Sequence, residues 1–268
     1  SSAASDVYKR QIASRMEGKP VTFRTFDVGG DKCPDVLHTV KTENPALGLR
    51  GIRFALKTSA LLKTQFRAVL RACCFGDIRI LLPMVTSVEE VVSAKKLLAE
   101  CENELREKSV PLPDRPPQLG VMIETPAAAL EAGVLAANCD FLSIGTNDLI
   151  QYTLAVDRTD SSVASLFNPL HPSILKLLKK TVESANSVHV PVSICGEMAS
   201  NHRYAAVLIG LGIHELSMPA INIPMVKERI RSLSLTEMEH FANRLLSLSS
   251  PSDIVKTFNA FEEGVRFY

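Results

Sequence analysis

Short, nearly unbroken apolar runs alternate along this chain with longer stretches in which apolar residues recur every three or four positions. The short runs predict strands at Val21–Asp27, Ile78–Met84, Leu119–Glu124, Phe141–Gly145, Val190–Cys195 and Glu215–Met218. The second, IRILLPM, has almost no polar interruption, as expected of a parallel strand covered on both faces.

The longer stretches predict helices with legible starts. Ser87 and Glu90 form a capping box ahead of the apolar face Val88, Val91, Leu98, Cys101 and Leu105, and Ser234 with Glu237 repeats the signal. Thr125 followed by Pro126 predicts an N-cap with proline at the first helical position. Ser200 is placed to cap a helix that runs to Ile209 and stops at Gly210 and Gly212. Further helices are expected over Ala60–Cys74, with Leu62, Phe66, Val69 and Leu70 inward, and from Ser252 to near Val265. Four prolines between Val110 and Gln118 predict an extended loop.

Such β-then-α alternation specifies an α/β protein with a parallel sheet, either doubly wound or a (β/α)₈ TIM-type barrel. No strand is followed by a GxGxxG or GxxxxGK[ST] loop, which favours the barrel. A barrel has eight strands and six are legible, so an incomplete, N-terminally truncated barrel is expected, with Val21–Asp27 beside the gap. An unpaired parallel edge of that kind also predicts poor solubility.

Composition narrows the class. The chain has 268 residues, 46% hydrophobic and 22% charged, with 30 basic and 29 acidic side chains, the profile of a soluble globular domain. The near-neutral balance argues against nucleic acid as a partner, and no apolar run approaches the length needed for membrane insertion. Residues 1–11 contain no apolar signal core, and the six cysteines (33, 73, 74, 101, 139, 195) form no CxxC pair. They read as reduced thiols of a cytoplasmic protein. The six histidines show no metal-ligand spacing.

Polar residues collect where strands end. Arg24, Asp27, Asp31 and Lys32 belong to the first strand and the turn after it. Glu124 closes the third, Asn147 and Asp148 follow the fourth, and Cys195 and Glu197 follow the fifth. In a barrel these ends share one rim, where active sites of the fold lie. Glu124 and Asp148 are hard oxygen donors suited to Mg²⁺, although a helix cap and an Asx turn would use the same residues. Arg24, Arg50 and Arg158 are forks for phosphate or carboxylate, or surface ion pairs. Cys195 is either an inert core thiol or a reactive one.

Taken together, RTFDVGGDK (24–32), ENPALGLRGIR (43–53), LLPMV (81–85), GVMIETPAA (120–128), FLSIGTNDLIQYTLAVDR (141–158) and ICGEMAS (194–200) resemble Enzyme I. That family is the phosphoenolpyruvate-protein phosphotransferase of the bacterial sugar phosphotransferase system. The resemblance covers the chain from about residue 12 and implies a (β/α)₈ barrel that binds phosphoenolpyruvate and Mg²⁺, releases pyruvate and forms a homodimer. It implies that Arg24 and Arg50 hold the phosphoryl group and that Glu124 and Asp148 ligate Mg²⁺. Asn147, Asp148 and Arg158 would bind substrate, with Gly30 and Lys32 lining the phosphate pocket. Cys195 would be the proton donor.

In the family the phosphoryl acceptor is a histidine on an N-terminal half, which also docks the phosphocarrier protein; nothing here resembles that half. The family's second-strand GLYRTEF-like motif is also without a counterpart. Residues 1–11 resemble nothing in the family and are expected to lie outside the fold, with residues 12–268 forming the barrel region and its C-terminal helices. Two alternatives stay open: a barrel of pyruvate phosphate dikinase or phosphoenolpyruvate synthase, and a non-catalytic dimerisation or regulatory fragment. The choice between the sugar and nitrogen branches is open as well.

Overall fold

A computed structural model describes residues 2–27 and 44–264, with side chains from residue 7 onward. The expected VGGDK turn, including Gly30, Asp31 and Lys32, lies outside the described residues, as do His38 and Cys33. Elements follow in the order α1 (Ser2–Arg15), β1 (Val21–Arg24), α2 (Gly51–Lys57), α3 (Ser59–Ala72), β2 (Ile78–Leu82), α4 (Val88–Glu107) and β3 (Gln118–Ile123). Then come α5 (Pro126–Leu130), α6 (Ala132–Ala136), β4 (Phe141–Gly145), α7 (Thr146–Leu154), α8 (Pro172–Asn186), β5 (Val192–Cys195), α9 (Glu197–Ser200) and α10 (Ala205–Gly210). The chain closes with β6 (Glu215–Leu216), α11 (Ile223–Arg231), α12 (Leu235–Leu246) and α13 (Pro251–Gly264).

All six expected strands are present among the described residues, and helices follow them as α/β alternation requires. This agrees with six strands of a (β/α)₈ barrel. Contacts divide the chain into two compact units, Ser1–Met122 with Asn138–Phe141, and Ile123–Ala137 with Leu142–Tyr268.

In the first unit β1, β2 and β3 pair in that order, all parallel, with Val21 opposite Ile78 and Arg79 opposite Gln118. Burial follows from composition: Ile78, Ile80 and Leu82 are inaccessible or nearly so, packed with Leu62, Phe66, Val69 and Leu70 of α3 and Val91, Leu98, Cys101 and Leu105 of α4 in the unit's core. β1 differs, since its residues alternate half-buried and exposed. Thr22 and Arg24 form the exposed row. Helix α1 packs on α3, its Ala13 buried, its Lys9 ammonium 5.4 Å from the Phe23 ring and its Arg10 guanidinium 4.1 Å from the Phe75 ring. Residues 2–11 are therefore helical in the structure.

In the second unit β4, β5 and β6 are parallel in that order, with Gly145 opposite Cys195 and Ile194 opposite Leu216. Both predicted capping boxes form, at Ser87/Glu90 and Ser234/Glu237, and Thr125 accepts the Ala128 N–H at 3.1 Å. The expected cap at Ser200 is not where it was placed. Ser200 ends α9 and its hydroxyl donates back to the Gly196 carbonyl at 3.1 Å, while Asn201 caps the next turn by accepting the Arg203 N–H. A short α9 intervenes because the chain has to turn directly after Cys195. Ser250 and its neighbours start α13, as the sequence predicts to within a residue.

Helix α13 is fixed by an aromatic and arginine cluster. Phe261 stacks on Phe241 at 3.7 Å and Phe258 on Tyr204 at 5.4 Å. The guanidinium of Arg229, wholly inaccessible on α11, donates to Glu262 at 2.5 Å. A buried cation tolerates its position because that carboxylate compensates it. Glu262→Ala removes the compensation and is expected to lower unfolding free energy by about 3–5 kcal/mol, read as a shifted urea midpoint. A shift below about 1 kcal/mol, the range of exposed pairs, contradicts the assignment.

Candidate functional site

In the first unit the end of β1 is occupied by one carboxylate and two guanidinium groups. Asp27 is nearly buried, and Arg50 grips it with both arms of its fork, Nε to Oδ1 at 3.1 Å and Nη2 to Oδ2 at 2.6 Å. Bidentate pairing of this kind fixes the plane and direction of the guanidinium. Arg24 lies 4.0 Å from the same Oδ2 and 3.9 Å from the Met122 sulfur, with about half of its side chain in solvent. Gln65 of α3 braces the turn, accepting the Phe26 N–H at 3.2 Å and donating to the Arg24 carbonyl at 3.4 Å.

Arg50 is delivered by the start of α2, where Gly51 sits at φ +56°. A Cβ there would come within 2.6 Å of Met84 Cβ, and the following Ile52 N–H donates to the Pro83 carbonyl at 3.1 Å. The glycine of GLRGIR is thus the residue that lets α2 begin directly over the end of β2. Arg24 and Arg50, expected as phosphoryl ligands, are brought together around Asp27.

The second unit gathers the remaining residues of interest at its strand ends. Glu124, directly after β3, is 2% exposed and Asp148, in the first turn of α7, is 8% exposed. An acid in the first turn is favoured by the helix dipole. Arg158 stands with Nη2 4.0 Å from Asp148 Oδ1, and its backbone N–H donates to Gln151 Oε1. Left-handed Ala155 ends α7 and turns the chain toward Arg158.

Asn147 bridges two strand ends. Its Oδ1 accepts the Glu197 N–H at 3.0 Å and its Nδ2 donates to Glu197 Oε1 at 3.5 Å. Thr146 is inaccessible and its hydroxyl donates to the Cys195 carbonyl at 2.9 Å. Cys195 is half-buried, its thiol donating to the Ile144 carbonyl at 3.5 Å. Between them Gly196 holds φ +91°, and a Cβ would meet Thr146 Oγ1 at 2.4 Å and Asn147 Oδ1 at 2.9 Å.

The structure therefore brings Glu124, Asn147, Asp148, Arg158 and Cys195 into one compact unit. Sequence reasoning gave no role to Thr146, Gly196 or Gln65, whose partners lie 39 or more residues away along the chain. The Thr-Asn pair following a strand, and a glycine following Cys195, were the available signals.

Two further thiols lie elsewhere in the fold. Burial pushes Cys73 up to about 12, with the Cys74 and Asp77 charges adding to it, and pushes Cys139 up to about 11. Both are protonated and inert at neutral pH.

The fold is a parallel α/β one, with two arginines at the end of β1 in the first unit and two buried acids and a cysteine at strand ends of the second. Residues 5–235 match the family described as PEP-utilising enzyme, PEP-binding domain, and the chain belongs to that family. Among its curated relatives is the phosphoenolpyruvate-protein phosphotransferase of Haemophilus influenzae, 41% identical over 94% of this chain and 44% of the relative. The proteins of the same name from Bacillus subtilis and Cupriavidus necator are 41% and 42% identical over 93% and 91% of this chain, and over 44% and 42% of their own lengths. The chain thus spans less than half the length of these relatives. No described helix is long and apolar enough to cross a membrane.

Gly196 is the most constrained backbone position of the site. Gly196→Ala is expected to cost at least about 2 kcal/mol in stability, since both its dihedrals and the Thr146 hydroxyl oppose a methyl group. Gly264→Ala, where a Cβ meets nothing, is the control and should be nearly neutral. Equal denaturation midpoints for the two variants would contradict the close approach of β5 and α7.

Proposed function

We propose that this chain is the phosphoenolpyruvate-binding, Mg²⁺-dependent catalytic region of an Enzyme I-type phosphoenolpyruvate-protein phosphotransferase. The single observation that carries the reading is the near-complete burial of Glu124 and Asp148 at strand ends of one unit. Acidic side chains withdrawn from water need compensating partners, and Arg158 beside Asp148 is one of them. Two carboxylates, with water and substrate oxygens completing the shell, is the donor set Mg²⁺ favours. Glu124 and Asp148 are proposed as its protein ligands, with the substrate bound alongside.

When bound, Mg²⁺ would neutralise charge on the phosphoryl and enolate oxygens. The chain's own residues do the rest. Arg24 and Arg50 are the proposed phosphoryl cations, and phosphoryl transfer rests mainly on such positioning and charge neutralisation. Asp27 holds the Arg50 fork in a fixed plane, so little side-chain freedom is lost when an anion arrives. Arg158 and Asn147 orient the substrate carboxylate and enol oxygen, with Asn147 itself held by Glu197. Cys195 donates the proton that converts the enolate into pyruvate; an ordinary thiol remains largely protonated at neutral pH and is a competent acid.

The acceptor is a histidine carried outside this chain, on a segment that also meets the phosphocarrier protein. The complete protein is proposed to work as a cytoplasmic homodimer in phosphotransferase-dependent sugar transport. The relatives' names support the phosphotransferase activity, and the resemblance of the motifs to Enzyme I supports the rest of this reading.

Calorimetric titration of the chain with phosphoenolpyruvate, with and without Mg²⁺, tests the proposal. Binding is expected only with Mg²⁺ and is expected to be abolished in Asp148→Ala. Equal affinity in the presence of a chelator, or unchanged Mg²⁺-dependent binding by that variant, would remove the metal from the reading.

A further inference from the structure

We propose that Thr146 is a positioning residue for proton delivery, acting through Cys195. This rests on the reading of Cys195 as proton donor. Three independent features of the second unit lead to it.

The first is the hydroxyl itself. Thr146 is wholly inaccessible, and its Oγ1 donates at 2.9 Å to the carbonyl of Cys195, 49 residues further along the chain. A buried hydroxyl committed to one carbonyl is expensive to replace by a methyl group, because the carbonyl then loses its donor. The second is the register. Gly145 lies opposite Cys195 at the last pair of the β4–β5 ladder, so the Thr146 bond extends the pairing by one side-chain link beyond the point where backbone pairing stops. The third is Gly196. Its open position lets Thr146 Oγ1 come as close as 2.4 Å to where a Cβ would stand, so the tight approach is built into the backbone.

The consequence concerns the thiol. Cys195 is held at both ends: its carbonyl by Thr146, and its Sγ–H by donation to the Ile144 carbonyl at 3.5 Å. A thiol is a weak donor, so the backbone anchor adds to what fixes the sulfur. In the reaction the π pair of the enolate takes the Sγ proton at C3 and forms a methyl C–H bond of pyruvate. The S–H bond breaks, and the thiolate is reprotonated from water. Proton transfer to carbon is sensitive to donor placement, whereas substrate affinity depends on arginines and the carboxylate pair.

Thr146→Val keeps the shape and removes the hydroxyl; Thr146→Ser keeps the hydroxyl and removes the methyl. Turnover is measured in the full-length protein carrying this chain, with its acceptor histidine and phosphocarrier, beside Cys195→Ser. The expected result is a kcat for Thr146→Val lowered by roughly 10²-fold at nearly unchanged KM for phosphoenolpyruvate, with Thr146→Ser restoring most of it. If the valine variant does not fold, Thr146→Ala, which removes the hydroxyl without setting a methyl group against the carbonyl, replaces it in the same comparison.

A normal kcat in the valine or alanine variant while Cys195→Ser is impaired overturns the role of Thr146. So does a loss confined to KM, or one the serine variant fails to rescue. Normal turnover in Cys195→Ser instead overturns the reading on which the inference rests.

Discussion

Two acidic side chains of one compact unit, Glu124 and Asp148, are withdrawn almost entirely from water. Ionised groups in such places persist only when cations and hydrogen-bond donors compensate them, and the local architecture serves that requirement. Asp148 sits in the first turn of α7, where the helix dipole favours it, with the Arg158 guanidinium 4.0 Å away. Asn147, its neighbour in sequence, is fastened to Glu197 across the β4 and β5 ends. The strand ends are thus held by side-chain bonds where the backbone ladder stops. Under the proposed function these two acids are the protein ligands of Mg²⁺, with coordination positions left for substrate oxygens.

The first unit solves the opposite problem, presenting cations in a fixed geometry. Arg50 is nearly buried and spends its fork on Asp27, while Arg24 remains half in solvent beside them. Gly51 makes this possible, because any side chain there would collide with Met84. The pair Asp27–Arg50 is a partly buried, bidentate bond of the kind that confers direction more than stability.

Much of this was legible along the chain. The six strands follow from short apolar runs, with errors confined to their ends. Val21–Asp27, for example, is a strand only through Arg24: Thr25 still donates its N–H to the Leu81 carbonyl at 2.9 Å, and the Phe26 N–H then passes to the Gln65 side chain. Capping boxes at Ser87 and Ser234 are local chemistry and formed as expected. Ser200 was misread for a tertiary reason: the chain turns at Gly196 and starts a four-residue helix, leaving Asn201 to cap the next turn. Thr146 and Gln65 were invisible because their partners are fixed by strand register and helix packing rather than by sequence neighbours. The arginines, acids and cysteine were visible because strand ends in a parallel sheet point one way, so their polar residues stand out against apolar runs.

The proposed metal site rests on Glu124 and Asp148. Crystals of the chain grown with phosphoenolpyruvate and Mn²⁺ in place of Mg²⁺ locate the ion directly by anomalous diffraction. The account predicts one peak bonded to an oxygen of Glu124 and an oxygen of Asp148 at about 2.1 Å, with substrate oxygens completing its shell. An ion bound elsewhere, or substrate bound with neither carboxylate in contact with metal, would contradict it.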